Sequence, residues 1–257
     1  MIFEGAYKRN ERLLLGALGL LIFAVFWESV VRLGYLNPIT ASSPSRIAQA
    51  FASQWHNGAI LKNSRIFLFE LTVGFTLAFI VGVTLGIAMG VNRLVEYAAD
   101  PFVWLIYASP TIAFYPLLMI WIGFGSATVI TVTFLLTFVS IVVNTMAGVH
   151  AAEPQMIRVL KVFGGKPIDI ILKVIIPASL PLMLAGVRIG LSRAFLGVIL
   201  GEMFSSNAGF GYDIAYYAGQ LQTATVFVSI IILIVIGTII NLLFTAVEAR
   251  LFAWKAR

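Results

Sequence analysis

Arg188, Arg193 and Glu202 share one apolar run, GVRIGLSRAFLGVILGEMF, and are the residues with which this chain could act on a charged solute. Charge inside hydrocarbon is costly, so such residues face protein or water and mark routes for ions or substrates. Five positions separate the two arginines, which puts them about 140° apart around a helix. Both cannot face lipid. Arg188 is near enough to the cytoplasmic side to snorkel there. Arg193 lies deeper and is expected to face protein or water, paired with a carboxylate such as Glu202 from a neighbouring subunit or turn. Covalent chemistry has less to work with. The chain has no Cys, which excludes disulfides, thiol chemistry and cysteine-ligated metals, and its two His, His56 and His150, are far apart, which disfavours a histidine metal site. Neither GxSxG nor HExxH occurs, and GGKP at Gly164–Pro167 lacks the further Gly and the Ser/Thr of a phosphate-binding loop. The reading is electrostatic guidance without catalysis.

Helices in a bilayer must position those residues. The 257 residues are 60% hydrophobic and 11% charged, and the mean hydropathy is +1.00, so lipid is the solvent. Six runs are long enough to span: about 13–36, 67–91, 102–124, 127–149, 178–204 and 224–247. They form one transmembrane domain over 1–257, an all-α membrane protein. The basic start with its long apolar run and no small-x-small cleavage site reads as a retained helix. With both termini in the cytoplasm, that side receives Lys8, Arg9, Arg12, Arg93, Arg158, Lys161, Lys166, Lys173, Arg250, Lys255 and Arg257. The other side receives Arg32, Arg46, Lys62 and Arg65. This is the positive-inside arrangement, and it excludes nucleic acid as the reason for the net charge of +6.

Within this frame several stretches stand out. Glu28 and Arg32 close the first span, and Glu70 sits at the start of the second, all within reach of interfacial water. Ser43-Pro44 opens an outer amphipathic helix with Ile47, Phe51 and Trp55 on one face, ending near Asn57-Gly58. Gly74, Ala78, Gly82, Gly86 and Gly90 recur every four residues, a stripe along which another helix can approach closely. Pro110 and Pro116 interrupt the third span, and kinked helices in membranes often border a cavity. Residues 150–177 form a cytoplasmic loop. There, Glu153-Pro154 starts a helix with Met156, Ile157, Leu160 and Phe163 on one face and Arg158 and Lys161 elsewhere; Gly164-Gly165 ends it. A second short helix runs from Pro167 to a stop at Pro177. The pair reads either as helices lying on the lipid surface or as a rigid knuckle that passes force to a soluble partner.

The region from Gly164 to Phe204 resembles the signature of binding-protein-dependent ABC importer permeases, with Gly164 and Ile176-Pro177 at the positions of that pattern. SPSRIAQAF, ASPTIAFYPLLMIWIGFG and GFGYDI are similar to the branch serving nitrate, sulfonate and taurine. The likeness runs over nearly the whole chain. Arg158-Val159-Leu160 stands where the family usually has Glu-Ala-Ala, which leaves open whether Glu153 takes over the role of that Glu. The resemblance implies a type I importer permease fold with a cytoplasmic coupling-helix loop that contains Glu153, Arg158, Lys161, Gly164, Gly165 and Pro177. It implies a bacterial inner-membrane location, a second permease copy (identical or a close relative), two ATP-binding subunits and an outer solute-binding protein. No cofactor is expected in this chain, since ATP and Mg belong to the ATPase subunits. A pathway past Pro110, Pro116, Arg188, Arg193 and Glu202 follows as an expectation. An ion-coupled secondary transporter is the alternative, disfavoured because Glu28, Glu70 and Glu202 all read as lying near span ends.

Overall fold

In lipid, a backbone has no water to satisfy its polar groups, so apolar runs of this length must bond internally. The computed structural model describes residues 2–37 and 40–251, with side chains described for 14–16, 18–37 and 40–250, and every regular element among these is a helix. Of the basic residues used for orientation, Lys8, Arg9, Arg12, Lys255 and Arg257 lie outside the described side chains. Two compact units are formed.

One comprises Met1–Leu61 and Asp213–Leu233. In α1 (Ile2–Arg32), Arg32 Nε donates to Glu28 Oε1 at 2.6 Å. The same carboxylate accepts from the Ser45 N–H at 2.9 Å and the Ser45 hydroxyl at 2.7 Å, so it supplies acceptors at the start of α2 (Pro44–His56), where Ser43 is the N-cap. Ile47, Ile60 and Val228 are buried, with Trp27 and Phe227 packed against them. Of the stripe along α2, only Ile47 is buried; Phe51 and Trp55 stack on one another and stay exposed. In lipid, an outward aromatic face costs little.

The other unit comprises Lys62–Tyr212 and Ile234–Arg257. Here α3 (Ala59–Val91) packs on α6 (Ser126–His150) along its glycines. A Cβ built at Gly74, Gly82, Gly86 or Gly90 would stand 2.8, 2.9, 2.6 or 2.5 Å from Thr133, Ile141, Thr145 or Val149 respectively. Partner positions advance in the same four-residue step, so the two helices run parallel. On its other side α6 meets α9 (Ile176–Ser205), antiparallel: Gly186 faces Asn144, Gly190 faces Ile141 and Thr137, and Gly197 faces Thr133. α6 is thus clamped between two glycine seams, which explains why Val129, Val132, Ile141 and Val142 are fully buried. Such close approach drives association where lipid removes the hydrophobic incentive.

Two expectations about proline need correction. The run expected as the third span is interrupted at Pro110, and by a full break deeper than a kink. It is α4 (Arg93–Ala108), a break at Ser109-Pro110, a 3₁₀ turn Thr111–Phe114 and α5 (Tyr115–Ile122), and the two arms meet at 89°. Pro116 makes no kink, because it occupies the first turn of α5, where its missing N–H is no loss. Nor does Pro177 end a helix. From α8 (Pro167–Ile170) the chain passes through a π-helical turn, Ile171–Ile175, straight into α9. The Ile176 N–H donates to the Ile171 carbonyl, and this wide turn lets a helix continue past a residue with no donor. The run Pro167–Ser205 has 39 residues, more than the roughly 20 that span a bilayer, so one end projects beyond the hydrocarbon. Among the described residues, five helices are long and apolar enough to cross, and the bent α4–α5 pair brings the number to six if it counts as one span.

Candidate functional site

The loop between α6 and α9 owes its shape to local sequence. Pro154 begins α7 (Pro154–Val162), with Glu153 at the N-cap in extended conformation but making no side-chain cap bond. At the other end Gly164 has φ +77, its N–H donates to the Lys161 carbonyl, and the Gly165 N–H donates to that of Leu160. These two bonds are the Schellman pair, which needs a residue tolerant of the left-handed region at Gly164. Asp169 then accepts from the Lys166 N–H at 3.1 Å and pairs with Lys173 Nζ at 2.7 Å, one turn further on.

The apolar stripe of α7 is divided between two environments. Ile157 and Leu160 pack on the buried cluster of Val149, Ala152, Ile170 and Ile175. Met156, Val159, Ile168, Val162 and Phe163 remain exposed, the last two at 85% and 83%. Arg158 and Lys161 are exposed beside them. Glu153, Met156, Lys173 and Pro177 line a groove of about 370 Å³, so the structure places Glu153 and Pro177 together. An exposed apolar face rimmed by charge, joined to a helix that runs unbroken into the bundle, suits a protein partner or the lipid surface.

The expected pathway residues separate into three places. Arg188 pairs with Glu248 of α11 (Thr223–Leu251) and lies over the Phe244 ring at 5.7 Å. A cavity of about 220 Å³ with Ser192 and Asn241 adjoins it. Both side chains of the ion pair are partly exposed, so a double-mutant cycle of Arg188→Ala and Glu248→Ala, read by thermal unfolding, is expected to give a coupling of at most about 1 kcal/mol.

Arg193 sits elsewhere, with Pro110, at the α4–α5 bend. Its guanidinium lies 5.3 Å from the Tyr107 ring centroid, and Trp104 packs edge-on against Tyr107. Arg193, Tyr107, Ser109 and Thr111 form the polar wall of a cavity of about 160 Å³, which Pro110 also lines. Leu135, Leu136 and Val139 of α6 form its apolar wall. Pro116 is not part of this lining.

Glu202 is not there either. It is fully buried, and one carboxylate oxygen accepts the Gly211 N–H at 2.7 Å, at the start of α10 (Phe210–Gly219). Beside it lies Glu70, also fully buried, with Ser126 against it. Sequence reasoning placed Glu70 at a span end within reach of water; α3 begins eleven residues earlier, at Ala59, and buries it. Burial removes the access to interfacial water expected for Glu70, while Glu202 stays three residues from the end of α9. The Gly209 N–H donates to Asn63 at 3.2 Å, and Gly209 itself has φ +103, close against the Glu202 carboxyl. Tyr107, Glu248 and the Glu70–Glu202 neighbourhood were not legible as partners, since each comes from a different helix.

A family model described as "Binding-protein-dependent transport system inner membrane component" matches residues 78–253. The putative ABC transporter permease protein MJ0413 of Methanocaldococcus jannaschii is 35% identical over 77% of this chain and 74% of its own length. The putative aliphatic sulfonates transport permease protein SsuC of Bacillus subtilis is 30% identical over 92% of this chain and 87% of its own. Among solved structures, inward-facing conformations of the MetNI methionine ABC transporter superpose with a TM-score of 0.62 at 17% identity, covering 72% of this chain and 92% of that one.

Proposed function

We propose, since this chain belongs to the family of binding-protein-dependent transport system inner membrane components, that it is the permease subunit of an ATP-driven importer for a small organic anion of the sulfonate kind. The chain is an ABC transporter permease with the fold of type I importers, a multi-pass protein of the inner membrane. In the proposed assembly two permease copies enclose the pathway, two ATP-binding subunits hold ATP and Mg, and an outer solute-binding protein delivers substrate. Both termini and the 150–177 loop face the cytoplasm, as the spread of Lys and Arg favours.

The observation that carries this reading is the exposed apolar face of α7, held by a glycine-ended turn to a helix unbroken from Pro167 to Ser205. An ATPase gripping that face would move α9 as a lever, without a flexible joint to absorb the stroke. Aliphatic sulfonate is the cargo named for the SsuC relative, and the cationic Arg193 is consistent with an anion.

Gly164→Val tests the lever. At φ +77 a β-branched residue costs about 1–2 kcal/mol and loosens the end of α7. The variant is expected to insert normally and retain ATP hydrolysis, while uptake per ATP in proteoliposomes falls at least about tenfold, a coupling loss of about 1.4 kcal/mol. Wild-type coupling in this variant would remove α7 from the transmission.

A further inference from the structure

Arg193 is a cation inside a span with no carboxylate for a partner among the described residues: the ion pairs of the other arginines and lysines leave it out. Asp100, about two turns before Tyr107 on α4, is engaged by the Trp104 indole N–H at 2.8 Å and does not line the cavity. Tyr107 offers only the face of its ring. A half-buried guanidinium held this way keeps several donors unused, and a low-dielectric surrounding makes an arriving anion worth more there than in water. The rest of the lining sets what that anion can carry. Leu135, Leu136 and Val139 share the lining with the arginine, and no acidic side chain among the described residues lines the cavity. A volume of about 160 Å³ is well below the roughly 300 Å³ at which drug-sized pockets begin, so the cavity suits a small solute.

We infer that the cavity at the α4–α5 bend is a transit site for short alkanesulfonates: the sulfonate oxygens sit on the Arg193 guanidinium, and the alkyl tail lies against Leu135, Leu136 and Val139. The site discriminates against zwitterionic aminosulfonates, because their ammonium would be desolvated with no carboxylate to receive it. The 89° bend makes this possible, since it keeps α4 and α5 from filling the space beside Arg193. The inference deepens the importer reading and rests on it, because a translocation pathway is what supplies the cavity with a solute.

The test uses the full chain in lipid nanodiscs, with saturation-transfer NMR reading the alkyl protons of ethanesulfonate. Ethanesulfonate is expected to bind and taurine, its amino-substituted counterpart, to bind at least about tenfold more weakly. Arg193→Met is expected to lose at least about tenfold in ethanesulfonate affinity, and Arg193→Lys less, because a point charge replaces a fork of donors. Equal binding of taurine and ethanesulfonate, or unchanged binding by Arg193→Met, overturns the proposal. Should Arg193→Met fail to fold, the ethanesulfonate–taurine comparison on the unaltered chain decides alone. Binding is read without ATP, so failure of ATP-driven uptake would sink the importer reading while leaving the site standing. Loss of binding with uptake intact would do the reverse.

Discussion

Gly86→Val is expected to unfold the bundle at its central seam. A Cβ at Gly86 would stand 2.6 Å from the Thr145 Cβ and 2.8 Å from the Val142 carbonyl oxygen, and the second contact is backbone, which no rotamer change relieves. α3 must therefore retreat from α6. The displacement does not stay local, because Gly74, Gly82 and Gly90 hold the same pair of helices at the same separation. In a membrane this separation matters more than in water: lipid chains match the apolarity of side chains, so helix association depends on van der Waals contact, which falls steeply with distance. Overpacking in a tight core costs typically 1–3 kcal/mol, and a whole seam places the expected loss at about 3 kcal/mol or more. Thermal unfolding in detergent measures it, with Gly19→Ala as reference. Nothing lies within 4 Å of a Cβ at Gly19, and that change is expected to stay within about 0.5 kcal/mol. If Gly86→Val unfolds at the temperature of the reference, the glycine seam is not what holds α3 to α6.

The second large effect is expected at Gly209→Val. Two costs combine. With φ at +103 the backbone occupies a region that a β-branched residue enters only under strain of about 1–3 kcal/mol. The added side chain also occupies the space of the Glu202 carboxyl, which would have to leave the Gly211 N–H and strand a buried donor at a further cost of about 1–3 kcal/mol. The combined loss is expected near 3 kcal/mol, and limited proteolysis should find new cleavage in the segment that joins α9 to α10. Glu202→Ala separates the two costs: with the Gly211 N–H already unpaired and the overlap gone, adding Gly209→Val to that variant is expected to cost only the strain, about 1–3 kcal/mol. No further loss would mean that the backbone at Gly209 carries no strain. A further loss as large as in the unaltered background would mean that Glu202 does not occupy the space the Cβ needs.

Some of this architecture was open to reading beforehand, for physical reasons. A glycine every four residues admits few interpretations in an apolar helix, so the α3 stripe announced a close neighbour, though not that the neighbour would be α6. Gly164-Gly165 after an amphipathic turn is a helix end by backbone conformation alone. Pro116 and Pro177 misled for one shared reason. A proline breaks a helix only where the lost N–H was needed, and need depends on the neighbouring turns. Pro116 falls in a first turn, and a π turn precedes Pro177. The stripe Met156–Ile157–Leu160–Phe163 showed amphipathicity, but periodicity does not tell a face turned to the core from one left for a partner.

The family assignment, rather than the position of any glutamate, decides between an ATP-driven permease and ion coupling. Glu70 and Glu202 lie fully buried side by side, which their places in the sequence concealed.

The sequence by itself determined the solvent, the helical class, the number of apolar runs and the turn chemistry of the α7 knuckle. Each of these depends on hydropathy summed over about twenty residues or on the conformational range of a single residue, quantities that are local along the chain. Tertiary structure alone decided which charges meet. Arg188 finds Glu248, Arg193 finds Tyr107 at a right-angled bend, and Glu202 lies beside Glu70 on a helix more than a hundred residues away in the chain. Those pairings depend on crossing distances and helix rotation, which packing sets by filling space among all the helices at once.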